Sequence, residues 1–421
     1  MEEKREVQYQ VYSRRWAVLL VYVGVGAAMQ YLWATFFSVT TEAWHFYGFT
    51  ERVAGEAAMS ALSMIIMAGM VILSIPASAV FARLGWYKTV AAASVLMSIC
   101  AIIRGYVGGN YTALVICTIG ESICQPFILN AFGMLAAHWF PPKERGIANG
   151  CGMLSIYIGV MMGQFGFPWL QNTFGLDIPG VLKVYGYATV AFTALFIAIA
   201  RDKPAVPPCE EELISRVNYV EGMKQLAKNR KFLAGMLIYF TLNGVYGAFT
   251  TLIEPIINFF NNNTIESLFI GMLGTIITIA GCVGTLLLPG ITDRDRQHRR
   301  LPLVRICLTG GIIGMVLFIM GHSTGLLLLA AIIFGFFFTG VMPVSLVFGC
   351  EAGYPVSEGT TDSLLQLIGN LGSLLILAVV NGVFRGNHSM SMGFIIGITV
   401  VCIVIGCVTK EASEKERMLV K

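Results

Sequence analysis

Charge is what this sequence lacks. Only 12% of its 421 residues are Asp, Glu, Lys or Arg, against roughly 25% in a soluble globular chain. The deficit runs along the whole length, which excludes a soluble enzyme, a disordered chain and a nucleic-acid binder. The net charge of +4 is too small to require an anionic polymer as partner. There is no CxxC pair, no GxxxxGK[ST] phosphate loop, no His/Cys/Asp/Glu cluster with metal spacing and no nucleophile–base motif. A disulfide framework, ATP-driven pumping by this chain, a resident cofactor or metal, and enzymatic chemistry are therefore not expected. Filter loops and rings of charge are also missing, which argues against an ion channel. Nine of the ten cysteines lie in or at the ends of apolar runs and read as small buried hydrophobes; only Cys209 sits in a polar stretch. The first apolar run follows a charged 15-residue head and has no small-residue cleavage site, so it reads as a first span rather than a leader.

What is abundant is apolar surface. Hydrophobic residues make up 56% of the chain and the mean hydropathy is +0.73. A spanning helix needs about 20 mostly apolar residues. Twelve segments qualify: 16–40, 56–80, 88–106, 112–138, 147–171, 181–200, 232–256, 266–289, 302–321, 325–350, 361–384 and 390–409. The one long connection, 201–231, separates spans 6 and 7. The expected organisation is a head (1–15), a six-helix bundle (16–200), a linker (201–231), a second six-helix bundle (232–409) and a tail (410–421).

With the N-terminus inside, 24 of the 28 Lys and Arg fall on inside segments, leaving Arg52, Arg104, Lys183 and Arg385 outside. This bias predicts that both termini are cytoplasmic, and the plasma membrane is the expected location. Five of six tryptophans fall near span ends, where an amphipathic ring prefers the interface; Trp33 does not. Glu210-Glu211-Glu212 after Pro207-Pro208, then Leu213, Val217, Val220 and Leu226, predict an amphipathic helix on the membrane surface within the linker. Three Asn-x-Ser/Thr sequons, at Asn110, Asn262 and Asn387, fall on expected outside loops.

Polar residues in mid-span are costly and mark function or tight pairing. Glu121 is the one acid well inside a span, and the sequence places no Lys or Arg at its depth. It reads equally as a substrate or proton group or as a structural hydrogen-bonding residue, so it permits proton coupling without showing it. Gln125 precedes Pro126 in the same span. Tyr31 and Trp33 in span 1, Asn243 and Tyr246 in span 7, and Gln366 and Asn370 in span 11 complete the candidate set. Each aromatic alone reads as packing. Rings, amides and one carboxylate together suit a small cation. Glu254, Glu351 and Asp362 lie near span ends and read as a solvated rim. Gly159-xxx-Gly163 in span 5 predicts close helix packing, and in a rocking protein a sliding face.

Two matched inside loops carry the wider resemblance. Phe81-Ala82-Arg83-Leu84-Gly85 between spans 2 and 3, and Gly290-Ile291-Thr292-Asp293-Arg294 between spans 8 and 9, resemble the latch motif of the major facilitator superfamily. The first copy has Ala82 where the acid is usual. The resemblance implies an all-α integral membrane fold of twelve transmembrane helices in two pseudo-symmetric six-helix bundles, with Arg83, Asp293 and Arg294 as a conformational latch. It also implies alternating access around a midplane site. A monomer is expected, with a small-molecule substrate and the lipid bilayer as its partners.

Further runs resemble one branch, the feline leukaemia virus subgroup C receptor-related transporters. They are Leu62-Ser63-Met64 with Met67 and Pro76-Ala77, Gln125-Pro126-Phe127-Ile128-Leu129, Trp139-Phe140 with Pro142-Lys143-Glu144, and Glu351 with Tyr354-Pro355, Ser357-Glu358-Gly359-Thr360 and Leu364-Leu365. Gly159, Gly163 and Pro168 fit its helix 5. That resemblance implies transport of choline or ethanolamine, or export of haem. It also implies a site built from an aromatic pair on helices 1 and 7 and an amide on helix 11. Tyr31 stands where that family has Trp, Gly247 where it has Tyr (with Tyr246 one residue earlier), and Asn370 where it has Gln. The five histidines, His45, His138, His298, His322 and His388, lie at span ends or in loops, which disfavours a buried haem. An organic-anion carrier would want a mid-cavity base, which the sequence does not show. A non-transporting receptor would be expected to carry a further soluble domain.

Overall fold

The computed structural model describes residues 10–204, 206, 225–262, 265–294, 299–354, 356 and 358–409. Among them every regular element is helical, and twelve helices are long and apolar enough to cross a membrane. In chain order these are α1 (Arg14–Trp33), α2 (Arg52–Leu84), α3 (Trp86–Tyr106), α4 (Tyr111–Trp139), α5 (Pro142–Phe174) and α6 (Ile178–Ile199). The second set is α7 (Arg230–Thr251), α8 (Ser267–Thr292), α9 (Leu301–Met320), α10 (Thr324–Ala352), α11 (Thr361–Phe384) and α12 (His388–Val408). Twelve crossings return the chain to its starting side, called here the termini side; the opposite side is the far side. The expected amphipathic helix in the linker lies almost wholly outside the described residues.

The two sets pack by the same scheme. In the first half α1 packs on α5, α2 on α4 and α3 on α6; in the second α7 packs on α11, α8 on α10 and α9 on α12. Each half has its own apolar core, one running from Val18 to Ala200 and the other built mainly from α7 to α12. The halves meet where α2 lies against α11 and α5 against α8. Val160 of α5, and Ala34 and Phe37 beyond α1, join the second core. Helix ends are capped by side chains: Asn110 starts α4, Asp177 starts α6, Asn229 starts α7 and Asn387 starts α12. Two of the three sequon asparagines are therefore helix caps.

Several helices are interrupted, and a threonine or proline lies near each interruption. The α1 helix stops at Trp33 and resumes as Thr40–Phe46, so Trp33 sits at a helix break rather than in mid-span. Thr35 Oγ1 donates to the carbonyls of Tyr31 and Leu32 at 2.8 and 2.9 Å, occupying acceptors at the helix end. The α7 helix repeats the device. Thr250 Oγ1 donates to the carbonyl of Tyr246 at 2.7 Å, and the chain resumes as Ile253–Phe260. In α4, Pro126 has no N–H for the Ser122 carbonyl; Gly69 of α2 lies against that carbonyl, with no room for a side chain. Wider π turns occur within α10 at Phe334–Thr339 and at the end of α11 at Val380–Phe384, a deviation frequent at functional sites.

The Gly159-xxx-Gly163 face packs on α1 within the first half, against the Ala27 carbonyl and Ala34. It is an intra-half contact and not the expected sliding surface. Across the halves, Gly271 and Gly274 of α8 lie against Gln164 of α5. A Cβ at Gly159 would stand 2.3 Å from the Ala27 carbonyl oxygen, whereas one at Gly150 meets nothing within 4 Å. Gly159→Val should lower the thermal unfolding midpoint of the purified protein by an amount equivalent to about 1–3 kcal/mol, and Gly150→Ala should leave it unchanged. A Gly159→Val protein as stable as wild type would contradict the α1–α5 packing.

Candidate functional site between the two halves

Two deeply buried charges form a pair. Arg104 Nη1 of α3 donates to Glu121 Oε2 of α4 at 2.7 Å, with side-chain exposures of 2% and 0%. This corrects the sequence expectation on two points: Glu121 has a base at its depth, and Arg104 is not an outside loop residue. A rise of about 1.5 Å per residue puts Glu121 well below the start of α4 and Arg104 near the end of α3. The long arginine side chain reaches inward to bridge the difference. The same Nη1 lies 3.3 Å from the Leu32 carbonyl, and the guanidinium sits 5.6 Å from the Phe36 ring centroid. The ion pair therefore clasps the break in α1. Glu121 is thus not an open counter-charge for a solute.

The far side is closed by a stripe on α2. Residues four apart share a helix face, and Arg52, Glu56, Ser60 and Met64 reach α11, α12 or the turn between them. Arg52 donates to the Gly386 carbonyl at 3.3 Å. Glu56 Oε2 pairs with His388 Nε2 at 2.9 Å, both residues buried. Ser60 Oγ meets Asn381 Oδ1 at 3.3 Å, and Asn381 Nδ2 lies 3.8 Å from Met64 Sδ. The π turn carrying Asn381 and the left-handed Arg385 and Gly386 that follow aim these groups at α2. Beside them the Thr41 N–H donates to Glu254 Oε2 at 3.2 Å, joining the short helices beyond α1 and α7. Glu254 is buried and bonded rather than a solvated rim group. So is Glu351, which takes Arg300 Nε and Nη2 at 3.0 and 2.9 Å. A recess of about 250 Å³ opens at the far side between Thr41, Trp44, Glu56 and Asn258.

Nearer the middle, the remaining candidates divide. Trp33 packs against the cores of both halves, 5.0 Å from the Phe37 ring, and its Nε1 is buried without a partner. Gln125 is buried with Oε1 unpartnered. Tyr239, one turn before Asn243, donates to Gln366 Oε1 at 3.0 Å and lies in reach of the Asn243 amide. Asn370 Nδ2 donates to the Gln366 carbonyl at 2.8 Å. Tyr246 lies near Thr278 of α8 and Tyr157 of α5. Tyr157 of the first half thus lies beside Tyr239 and Tyr246 of the second, and Trp33 touches both cores at the junction.

Tyr31 does not join them. It is fully buried inside the first half, with its hydroxyl 2.6 Å from Thr189 Oγ1 and 3.0 Å from the Tyr185 carbonyl. A Cβ on Gly247 would stand 2.6 Å from Ser373 Oγ and 3.3 Å from Met67, so no ring fits there. Of the latch residues, Arg83 is exposed at the end of α2, and the side chains of Asp293 and Arg294 lie outside the described residues. Tyr157, Tyr239, Asn381 and the Glu56–His388 pair escaped the sequence reading. Helix-face spacing from Arg52 onward was the available signal for the last two.

Two six-helix halves of matching internal packing, joined at α2–α11 and α5–α8 around a polar and aromatic middle, define a membrane transporter class. The Major Facilitator Superfamily model matches residues 17–377, and the chain belongs to that family. Its relatives include the human choline/ethanolamine transporter FLVCR2, 25% identical over 91% of this chain and 74% of the relative. Another is the cat choline/ethanolamine transporter FLVCR1, 24% identical over 90% and 70%. The zebrafish solute carrier family 49 member A3 is 25% identical over 91% and 81%. Among solved structures, a bacterial homologue of the human lysosomal transporter Spinster, inward-facing and unoccupied, superposes with a TM-score of 0.71 at 13% identity, covering 95% of this chain and 96% of that one. The POT family transporter PepTSo gives 0.69 at 12% identity, covering 97% and 99%.

Removing one partner of a buried ion pair strands the other charge, at a cost of about 3–5 kcal/mol. Glu121→Gln should lower the midpoint of thermal unfolding by on the order of 10 °C. Arg104→Met combined with Glu121→Leu should recover most of that loss, because both charges leave together. Scanning fluorimetry in detergent measures both; a Glu121→Gln protein of wild-type stability would show that the pair is not formed.

Proposed function

We propose that this transporter moves a small organic amine of the choline or ethanolamine class by alternating access, in the plasma membrane with both termini in the cytoplasm. The observation that carries the reading is the neutral, ring-and-amide surface between the halves. Trp33, Tyr246 and Tyr157 offer aromatic faces to a cation, and Asn243, Gln125, Gln366 and Asn370 offer amide groups for its polar end. The names of the FLVCR1 and FLVCR2 relatives support the class. The cytoplasmic orientation rests on the Lys and Arg bias toward the termini side. Rocking of the halves would break the α2 stripe on the far side and expose the middle there.

Haem export is less well supported. His388 is paired with Glu56, His138 bonds the Met134 carbonyl, His45 stacks on Trp44 and His322 lies between α9 and α10. None of these four reaches the middle space to ligate an iron; His298 lies outside the described residues.

Proteoliposome uptake of labelled choline and ethanolamine tests the reading. Saturable uptake is expected, reduced about tenfold by Trp33→Ala or Tyr246→Ala through loss of the ring face. Tyr31→Phe, on a residue turned away from the space, should stay within about twofold of wild type. Dependence on an imposed pH gradient would add proton coupling. Folded protein that takes up neither amine would refute the proposed substrate class.

A further inference from the structure

At the break in α1, between the halves, lies a cavity of about 10 Å³, room for about one oxygen atom. The first half contributes Trp33, Ser60, Ser63, Arg104 and Thr118 to its wall, and α7 of the second half contributes Thr251. Three polar atoms of this wall, Trp33 Nε1, Arg104 Nε and Thr251 Oγ1, are buried without any hydrogen-bond partner. Buried polar groups are nearly always bonded, so three orphans around one small cavity need a common explanation. The neighbouring hydroxyls do not supply it. Thr118 bonds the Leu114 carbonyl at 2.9 Å, and Ser60 bonds the Glu56 carbonyl.

The chemistry of the orphans selects the group they would bind. Indole Nε1–H and guanidinium Nε–H can only donate, and the threonine hydroxyl can do either. Two obligate donors and a hydroxyl call for an oxygen acceptor. Glu121 offsets the guanidinium charge at 2.7 Å, so the cavity has no spare charge to hold a carboxylate or phosphate. Its size admits one oxygen and excludes a trimethylammonium group.

We propose that this cavity receives the hydroxyl of the transported solute, with the remainder of the solute directed toward Tyr246 and the amides of α7 and α11. Trp33 then serves twice, its ring facing the body of the solute and its N–H holding the oxygen. Because Thr251 comes from the second half, the subsite is complete only while the far side is closed, and a solute hydroxyl seated there strengthens that closure. The inference deepens the proposed transport of a small organic solute, but its chemistry concerns the oxygen and not the amine.

The test compares ethanolamine with ethylamine as competitors of labelled ethanolamine uptake, in wild type, Thr251→Val and Thr251→Ser. Wild type should favour the hydroxylated member by about tenfold or more. Thr251→Val should bring the ratio near one without weakening ethylamine, and Thr251→Ser should restore it. Equal competition in wild type, or a preference that survives Thr251→Val, overturns the subsite and leaves amine transport standing. Recognition of neither compound defeats the amine reading alone. The subsite is then decided by a cryo-EM map of the solute-free protein at a resolution that shows ordered water. An oxygen peak within hydrogen-bond reach of Arg104 Nε, Trp33 Nε1 and Thr251 Oγ1, lost in Thr251→Val, supports it; no peak overturns it.

Discussion

A guanidinium and a carboxylate buried in a hydrocarbon-embedded bundle have few stable arrangements, and the Arg104–Glu121 pair is the one on which the middle of this protein depends. Each charge alone would be expensive at that depth. Together they tie α3 to α4, and the spare reach of Nη1 to the Leu32 carbonyl ties both to the end of α1. That carbonyl also takes the Thr35 hydroxyl. The break in α1 is therefore held from two directions, and Trp33, the last residue before it, packs against the cores of both halves.

The second half repeats the break without the ion pair. Thr250 bonds back to Tyr246, and the chain turns at Leu252 into a short helix whose Glu254 reaches the Thr41 N–H of the first half. Matching breaks in α1 and α7 thus place two short helices against each other on the far side. The α2 stripe from Arg52 to Met64 runs alongside. These contacts are few, polar and partly open to the recess near Glu56. They contrast with the glycine-mediated α1–α5 packing, which is dense and lies within one half. The far-side contacts are thus hydrogen bonds and short ion pairs, while each half is held by its own apolar core.

How much of this was legible in the sequence depends on the range of the interaction. Span number and the six-plus-six division follow from apolar run length and one long polar linker, local properties that a bilayer enforces. Depth along each span singles out Trp33, Gln125, Asn243, Tyr246, Gln366 and Asn370. Direction around the helix was not available from depth. Tyr31 and Trp33 are two residues apart, so one turns into the first half and the other faces the gap. Position along the chain puts Arg104 outside, two residues from a helix end, and only the neighbouring helix shows that its side chain points inward. Position near a span end likewise makes Glu254 and Glu351 look solvated. The pairing of Glu56 with His388 spans 332 residues, and no local pattern announces such a partner.

In the proposed transport cycle the two halves rock, and the far side, closed here by α2 against α11 and α12, opens. The measurement that tests it most directly is the distance between spin labels at Glu51 and Ser389, exposed positions at the far-side starts of α2 and α12. Two distance populations are expected in lipid, a short one matching this structure and a longer one, with their ratio shifted by ethanolamine. A single population unchanged by solute and by disruption of the Glu56–His388 pair would contradict it.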